Sequence, residues 1–357
     1  MEDRPEHYFN EGVDFFRIGQ YSKALTSFDR AVAIRPDYTE AWNGRGTVLA
    51  NLGRFSEALD SCDKAIAINP GYFKAWSNRG WVLCNLGRNS EALDSCDKAI
   101  EIKPDYAEAW HIRGAALGNL GRNSEALDSC DKAIEINPHD AEAWNIRGNA
   151  LNNLGRYADA LTTYDRVIAI NPNLSGAWYN RGNILEKIGE SAEALDSFDK
   201  AITISPEYAE AWNNRGNTLV ILGKYSDAVC SYDKAIEIRP DYTEAWYNRG
   251  FALIGLGRYD DAVTSYDKAI VINPDYAGAW YNRGLAFSEL GQFEDAVDSY
   301  DRAIDINPDD AGVWNARGNA LVSLDRDSEA AVSYDTAMII NPDYATAKQN
   351  RFKMQKI

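Results

Sequence analysis

Side chains able to act as nucleophiles, general bases or metal ligands are few and scattered in this chain of 357 residues. There are three histidines, His7, His111 and His139, and five cysteines, Cys62, Cys84, Cys96, Cys130 and Cys230. A zinc site needs four converging ligands, and covalent catalysis needs a nucleophile within hydrogen-bond reach of a base. No CxxC, Walker A or GxGxxG segment occurs, and no histidine shares a nucleophile pattern with a cysteine or serine. Cys62, Cys96 and Cys130 recur at a fixed spacing, so they predict equivalent core positions on successive segments. The acids recur in the same way and predict a solvated face. Catalysis, a metal and a cofactor are therefore not expected.

Recognition chemistry is better represented. Asn78, Asn180, Asn214, Asn248 and Asn282 fall at multiples of 34 residues, as do Asn149, Asn183, Asn217 and Asn319. An asparagine offers both a donor and an acceptor, so a row of them can hold an extended peptide backbone without reading its side chains. Aromatic and apolar residues interrupt the same columns: Trp81 with His111, then Tyr179, Tyr247, Phe251, Ile254 and Tyr281. Exposed aromatics of this kind act as binding anchors. The bland alternatives are hydrogen bonds between neighbouring elements for the asparagines and packing for the aromatics.

The elements that must position these residues repeat. Tryptophan falls every 34 residues from Trp42 to Trp314, proline every 34 from Pro36 to Pro342, and glycine from Gly12 to Gly318. One fixed period means stacked supersecondary units. Ten units fit without insertion: 5–38, 39–72, 73–106, 107–140, 141–174, 175–208, 209–242, 243–276, 277–310 and 311–344, after a lead 1–4 and before a capping helix 345–357. Within 107–140, Trp110, Gly114, Leu117, Ala126, Cys130 and Ala133 follow a helical period. The first helix of each unit is expected to open directly after proline, with Asp37–Glu40, Asp105–Glu108 and Asp241–Glu244 as capping boxes. It should close at a left-handed glycine such as Gly121, after which Asn123-Ser124-Glu125 opens a second helix that ends before Pro138. Each unit is thus two short antiparallel helices, brought close by Gly at the eighth place and Ala at the twentieth.

Arginine holds the seventh place from Arg45 to Arg351, and aspartate the twenty-fifth from Asp29 to Asp335, whereas the first unit carries Glu11. Each aspartate matches the arginine of the next unit, Asp131 with Arg147 for example. This predicts a ladder of ion pairs between units, bidentate where geometry allows.

This Trp-Leu/Gly-Tyr-Ala-Phe-Ala-Pro skeleton resembles the tetratricopeptide repeat. The resemblance implies an all-α, right-handed superhelical solenoid whose first helices line a concave groove, with places 2, 5, 6, 9, 12 and 13 facing it. The sixth-place asparagines are similar to those of the O-linked N-acetylglucosamine transferase repeat domain, whose catalytic half has no counterpart here. The carboxylate clamp of chaperone-binding members fits poorly, since the fifth place holds no lysine and Lys74 stands alone at the second.

Net charge is −17, from 54 acids and 37 bases. Such a surface disfavours nucleic acid and anionic membranes, and no apolar run approaches a membrane span. The start Met1-Glu2-Asp3-Arg4-Pro5 has no secretory character, and the odd cysteine count suits a reducing cytoplasm. The expected function is a non-enzymatic scaffold, monomeric or weakly self-associating, that binds an extended basic or neutral protein segment in its groove. The alternatives are a self-assembling oligomer and a regulatory array for a separate glycosyltransferase-like enzyme.

Overall fold

The computed structural model describes residues 4–354, all helix and short turns, in two compact units, Met1–Ala177 and Trp178–Ile357. In the first unit the first helices of successive hairpins are α1 (Pro5–Arg17), α3 (Thr39–Asn51), α5 (Phe73–Asn85), α7 (Ala107–Asn119) and α9 (Ala141–Asn153). Their partners are α2 (Tyr21–Ile34), α4 (Phe55–Ile68), α6 (Asn89–Ile102), α8 (Asn123–Ile136) and α10 (Tyr157–Ile170). The second unit takes in α11 (Ser175–Lys187) from Trp178 onward, then α13 (Ala209–Ile221), α15 (Thr243–Gly255), α17 (Ala277–Glu289), α19 (Ala311–Ser323) and α21 (Ala345–Met354). Its second helices are α12 (Ser191–Ile204), α14 (Tyr225–Ile238), α16 (Tyr259–Ile272), α18 (Phe293–Ile306) and α20 (Asp327–Ile340).

Small residues let each hairpin close. The eighth-place glycine of a first helix lies under the large residue at the twenty-fourth place of its partner. A Cβ at Gly216 would stand 2.5 Å from the Tyr232 ring, and one at Gly182 2.7 Å from Phe198. Where that large residue is cysteine, the thiol fills the same space: Cys62, Cys96 and Cys130 are fully buried beside Gly46, Gly80 and Gly114. Burial pushes the Cys62 and Cys130 thiols up to about 12, which keeps them protonated and unreactive. The turn inside each hairpin needs a left-handed residue, supplied by nine glycines with φ from 69° to 84°. Asp325 replaces the tenth and adopts φ 57°.

The capping boxes are not formed. The residue after proline lies in a turn, and α3 opens two residues later, at Thr39, with Tyr38 at its N-cap and no side-chain cap. Tyrosine holds that place because its ring packs on the preceding first helix, as Phe9–Tyr38 (5.2 Å) and Tyr247–Tyr276 (4.9 Å) illustrate. Aspartate replaces this tyrosine at 140 and 310, and there the carboxylate does cap: Asp140 accepts from the Ala143 amide at 3.0 Å and Asp310 from Gly312 at 2.8 Å. Six of the described second helices are stapled differently, by an N-cap arginine that grips an acid in the first turn, such as Arg122 on Glu125 at 2.7 and 2.5 Å and Arg156 on Asp159.

The ladder between hairpins is present. Arg45–Asp29, Arg79–Asp63, Arg113–Asp97 and Arg147–Asp131 in the first unit are each 2.7 Å apart. In the second unit Arg215, Arg249, Arg283 and Arg317 pair likewise with Asp199, Asp233, Asp267 and Asp301. Whereas Arg351 gives Asp335 two bonds, at 2.9 and 3.4 Å, these eight pairs are not bidentate. One guanidinium nitrogen goes to the aspartate of the hairpin before, and another donates to a buried hydroxyl of its own second helix, Arg147 to Thr163 at 2.8 Å and Arg249 to Ser265 at 2.7 Å. In the first hairpin Glu11 reverses the roles and accepts from Ser27 at 2.8 Å.

The common phase of the tryptophan and proline columns also has a physical cause. The indole N–H donates to the carbonyl of the proline six residues earlier, Trp42 to Pro36 and Trp212 to Pro206 at 2.8 Å. That bond fixes the turn between hairpins. The arginine guanidinium then lies over the same indole, Arg147 on Trp144 at 5.7 Å, for instance.

Within each unit, first helices pack on the next first helices, while second helices do not pack substantially on one another. First helices therefore line the inner side of each unit. The ten second helices hold 31 of the acids but 10 of the bases, whereas the described first helices with α21 hold 10 acids and 15 bases. The negative charge thus belongs to the outer helices. At the end of the second unit, α21 docks through buried Ala347, with Arg351 on Asp335 at 2.9 Å.

The hairpin contact predicts opposite outcomes for one substitution. Gly216→Ala should destabilise by about 1–3 kcal/mol through overpacking on Tyr232. Gly118→Ala, with open space around its Cβ, should stabilise by about 0.5–1 kcal/mol. Urea unfolding of both variants measures this, and equal shifts would contradict the packing account.

Candidate functional site

The inner faces carry the polar row, and its amide groups bond from one first helix to the next. Asn78 donates from Nδ2 to Asn43 Oδ1 at 2.9 Å and to Thr47 Oγ1 at 3.0 Å. In the second unit Asn214 donates to Asn183 Oδ1 at 2.8 Å and to the Tyr179 hydroxyl at 3.2 Å. Asn248 donates to Asn213 at 3.1 Å, and Asn282 to the Tyr247 hydroxyl at 2.8 Å. The sixth-place residue thus reaches back to the fifth and ninth places of the hairpin before. This explains its identity. Where the preceding ninth place is apolar, as at Val13, Trp81, Ala115 and Leu285, the sixth place is Gly44, Ile112, Ile146 and Ala316; after Phe251 it is Asn282, which bonds to the fifth-place Tyr247 instead. Donors in the row are therefore committed to the scaffold, but Oδ1 of Asn78, Asn248 and Asn282 accepts no hydrogen bond among the described residues.

The ninth place faces a second demand. Tyrosines at the twenty-fourth place donate to it: Tyr164 to Asn149 at 2.7 Å, Tyr232 to Asn217 at 2.8 Å and Tyr334 to Asn319 at 2.9 Å. Tyr300 instead meets Ser288 at 3.1 Å. Tyr266 has Phe251 in the equivalent place, and its hydroxyl is buried with no partner.

The anchor residues divide between the two units. Trp81 is half-buried and packs edge-on against Phe55 at 6.5 Å. His111 is held by two acids. Its Nδ1 lies 2.8 Å from Asp140 and its Nε2 3.5 Å from Glu142, with 13% of the side chain exposed. Burial alone lowers the imidazole pKa, but the hydrogen bond and charge of Asp140, with Glu142 and Glu108 nearby, outweigh it and the net shift is upward. Asp140 moves the other way: burial raises it, but His111 and two backbone amides bring it below the ordinary carboxylate value. In the second unit Tyr179 stacks on Tyr208 at 4.8 Å and Tyr247 on Tyr276. Tyr281 packs on Tyr300 at 6.0 Å, Asn180 and Ile254 are half-buried, and Phe251 is 49% and Ile221 64% exposed. Among the described residues, no group of three or more His, Cys, Asp or Glu side chains is placed to hold a metal ion.

Models described as tetratricopeptide repeat match residues 73–106, 107–140, 175–208 and 277–310. Others match 9–73, 129–162 and 197–229, and a TPR repeat model matches 148–189, 216–257 and 252–291. The matches run without a gap from 9 to 310. The chain belongs to the tetratricopeptide-repeat family. Among solved structures, a tetratricopeptide repeat protein from Parabacteroides merdae ATCC 43184 is similar with TM-score 0.51, at 18% identity over 70% of this chain and 98% of its own. YrrB, a TPR protein with an unusual peptide-binding site, aligns at 29% identity over 54% of this chain and 98% of its own, TM-score 0.49. The Cut9–Hcn1 hetero-tetramer of the APC/C aligns over 98% of this chain and 96% of the matched chain, at 12% identity and TM-score 0.49. A comparison with curated proteins finds no match.

Sequence reasoning did not single out Asn43, Thr47, Asn213, Asn315 or Asn350 as members of the row. The signal was available as spacings of 35 and 31 residues between partners, Asn78 to Asn43 and Asn78 to Thr47.

Two outcomes follow from these bonds. Tyr232→Phe should destabilise by about 1 kcal/mol, because a satisfied bond is lost, whereas Tyr266→Phe should be neutral or stabilising because a buried unpaired hydroxyl disappears. Paired thermal melts decide it. The raised His111 pKa adds stability that is fully present below the unfolded value and lost as pH rises through the folded one. His111→Gln should therefore lower Tm at about pH 6 and have little effect at about pH 9; equal losses at both would refute the ion-pair account.

Proposed function

We propose that this protein binds an extended protein segment along the inner faces of its first helices. As a tetratricopeptide-repeat protein it belongs to a family of protein–protein interaction scaffolds, and such repeats are typically non-catalytic. The observation that carries the finer reading is the set of unused carbonyl oxygens on Asn78, Asn248 and Asn282, spaced along the inner faces of half-buried first helices. Each can accept from a peptide N–H while its own donor stays tied to the scaffold. Phe251 and Ile221 supply exposed apolar side chains in the second unit, and Trp81 a half-exposed one in the first. The acidic excess lies on the second helices, so the inner faces favour a segment of low net charge, neutral rather than strongly basic. No described helix is long and apolar enough to cross a membrane, and the cytoplasm is the compartment we propose.

Self-association is the second reading, favoured by Val332 and Ile339 on α20, which are 61% and 79% exposed. Light scattering across a concentration series distinguishes the two, because groove binding needs no oligomer.

Peptides selected on the full chain from a random display library provide the test. Phe251→Ala or Trp81→Ala should weaken the selected peptide by at least about tenfold in fluorescence anisotropy, with the helical circular dichroism unchanged. Unchanged affinity in both variants would defeat the proposal.

A further inference from the structure

One stretch of the first unit breaks the polar row altogether. Gly44 stands at the sixth place of the second hairpin, where six other hairpins carry asparagine. The preceding fifth and ninth places are Phe9 and Val13, neither of which could accept from an asparagine amide. Glycine lets α3 lie directly against the Phe28 ring. A cavity of about 380 Å³ opens there between α1, α3 and α5. Phe28, 2% exposed, forms its floor, and Phe9, Val13 and Phe16 form one wall. A Cβ at Gly44 would come within 2.8 Å of the Phe28 ring, so no larger residue fits there without displacing the floor.

The rim differs from the floor. Asn43 and Thr47 stand beside the cavity with their oxygens engaged by Asn78. Glu40 on α3 and Lys74 on α5 add one charge of each sign. Lys74 is exposed, makes no ion pair among the described residues, and is the only base at the second place, which elsewhere carries Glu, Gly or Thr. An apolar concavity with a few polar groups at its mouth is the form that small-ligand and side-chain sites take.

We propose that this cavity receives an aromatic side chain adjacent to a carboxylate, with the ring against Phe9, Val13 and Phe16 and the carboxylate against Lys74. The aromatic lining selects the ring, because flat side chains stack at an offset on such walls. The unpaired ammonium selects the neighbouring carboxylate, and Glu40 on the next helix sets the direction by repelling the reversed orientation. That the natural occupant is a protein segment rests on the groove-binding reading above. The cavity itself is tested without that reading.

N-acetyl-phenylalanine, its carboxamide and N-acetyl-alanine are titrated into the full chain and followed through amide chemical shifts. N-acetyl-phenylalanine should shift the Gly44 and Thr47 amides, and N-acetyl-alanine at the same concentration should not. The carboxamide should bind about threefold more weakly, as loss of one exposed charge pair predicts, and Lys74→Gln should abolish that difference. Gly44→Asn should weaken N-acetyl-phenylalanine by at least about tenfold, the worth of one buried ring. Val13→Trp fills the space from α1 and should act alike if Gly44→Asn fails to fold. Equal shifts from the alanine and phenylalanine probes, or retained binding in a folded cavity-filling variant, would overturn the proposal. A negative result here leaves peptide binding elsewhere on the inner faces untouched, and failure of the display selection leaves this cavity standing.

Discussion

A single arginine per hairpin joins most of what holds the array together. Its guanidinium touches the aspartate of the hairpin before, a buried hydroxyl on its own second helix and the face of its own tryptophan, as Arg147 does with Asp131, Thr163 and Trp144. The tryptophan in turn holds the carbonyl of the proline that ends the preceding hairpin. Three helices and one turn are thereby indexed by one side chain. The arginine is more buried than its aspartate, 25% against 57% exposed in that pair, so the Coulombic gain is modest and the geometry matters more. An uncharged residue at the seventh place could fill space, but it could not set angle and register at once.

With register fixed from outside, the inner faces are free to vary, and they vary in coupled pairs. An asparagine at the sixth place goes with an acceptor at the fifth or ninth place of the hairpin before, because an amide buried against apolar neighbours alone would lose its bonds. The polar row is consequently part of the framework as well as a surface. Only its carbonyl oxygens are left over, and recognition would have to use those together with the apolar interruptions. The separation of charge acts in the same direction. Acids gather on second helices, where repulsion between neighbours is relieved by their divergence and by water.

Much of this was legible in the amino-acid sequence. The columns of Trp, Pro and Gly announce the period, the hairpin and the left-handed turn, and equal numbers of Arg and Asp one hairpin out of step announce the ladder. The capping boxes misled because Asp37 and Glu40 have the correct spacing but the wrong phase: proline and the residue after it are spent on the turn, and the N-cap falls to Tyr38. The cavity at Gly44 was not legible, since Phe9, Val13 and Gly44 are unremarkable one at a time and become a hole only when α1 is laid beside α3. The pairing of His111 with Asp140, which stands where most hairpins have tyrosine, was not legible either, because nothing in the column marks the two as neighbours.

The Tyr–Asn bond inside the hairpins makes mutational history directional. A hairpin holding Asn without the tyrosine, such as Asn183 opposite Phe198, keeps a polar group that water can still reach. A hairpin holding the tyrosine without Asn, such as Tyr266 opposite Phe251, strands a hydroxyl in the interior. Drift towards the bonded pair therefore runs more easily through the asparagine first, and departure from it through loss of the phenolic oxygen. Duplicated hairpins that begin alike can diverge along that one-way route without any partner selecting the change.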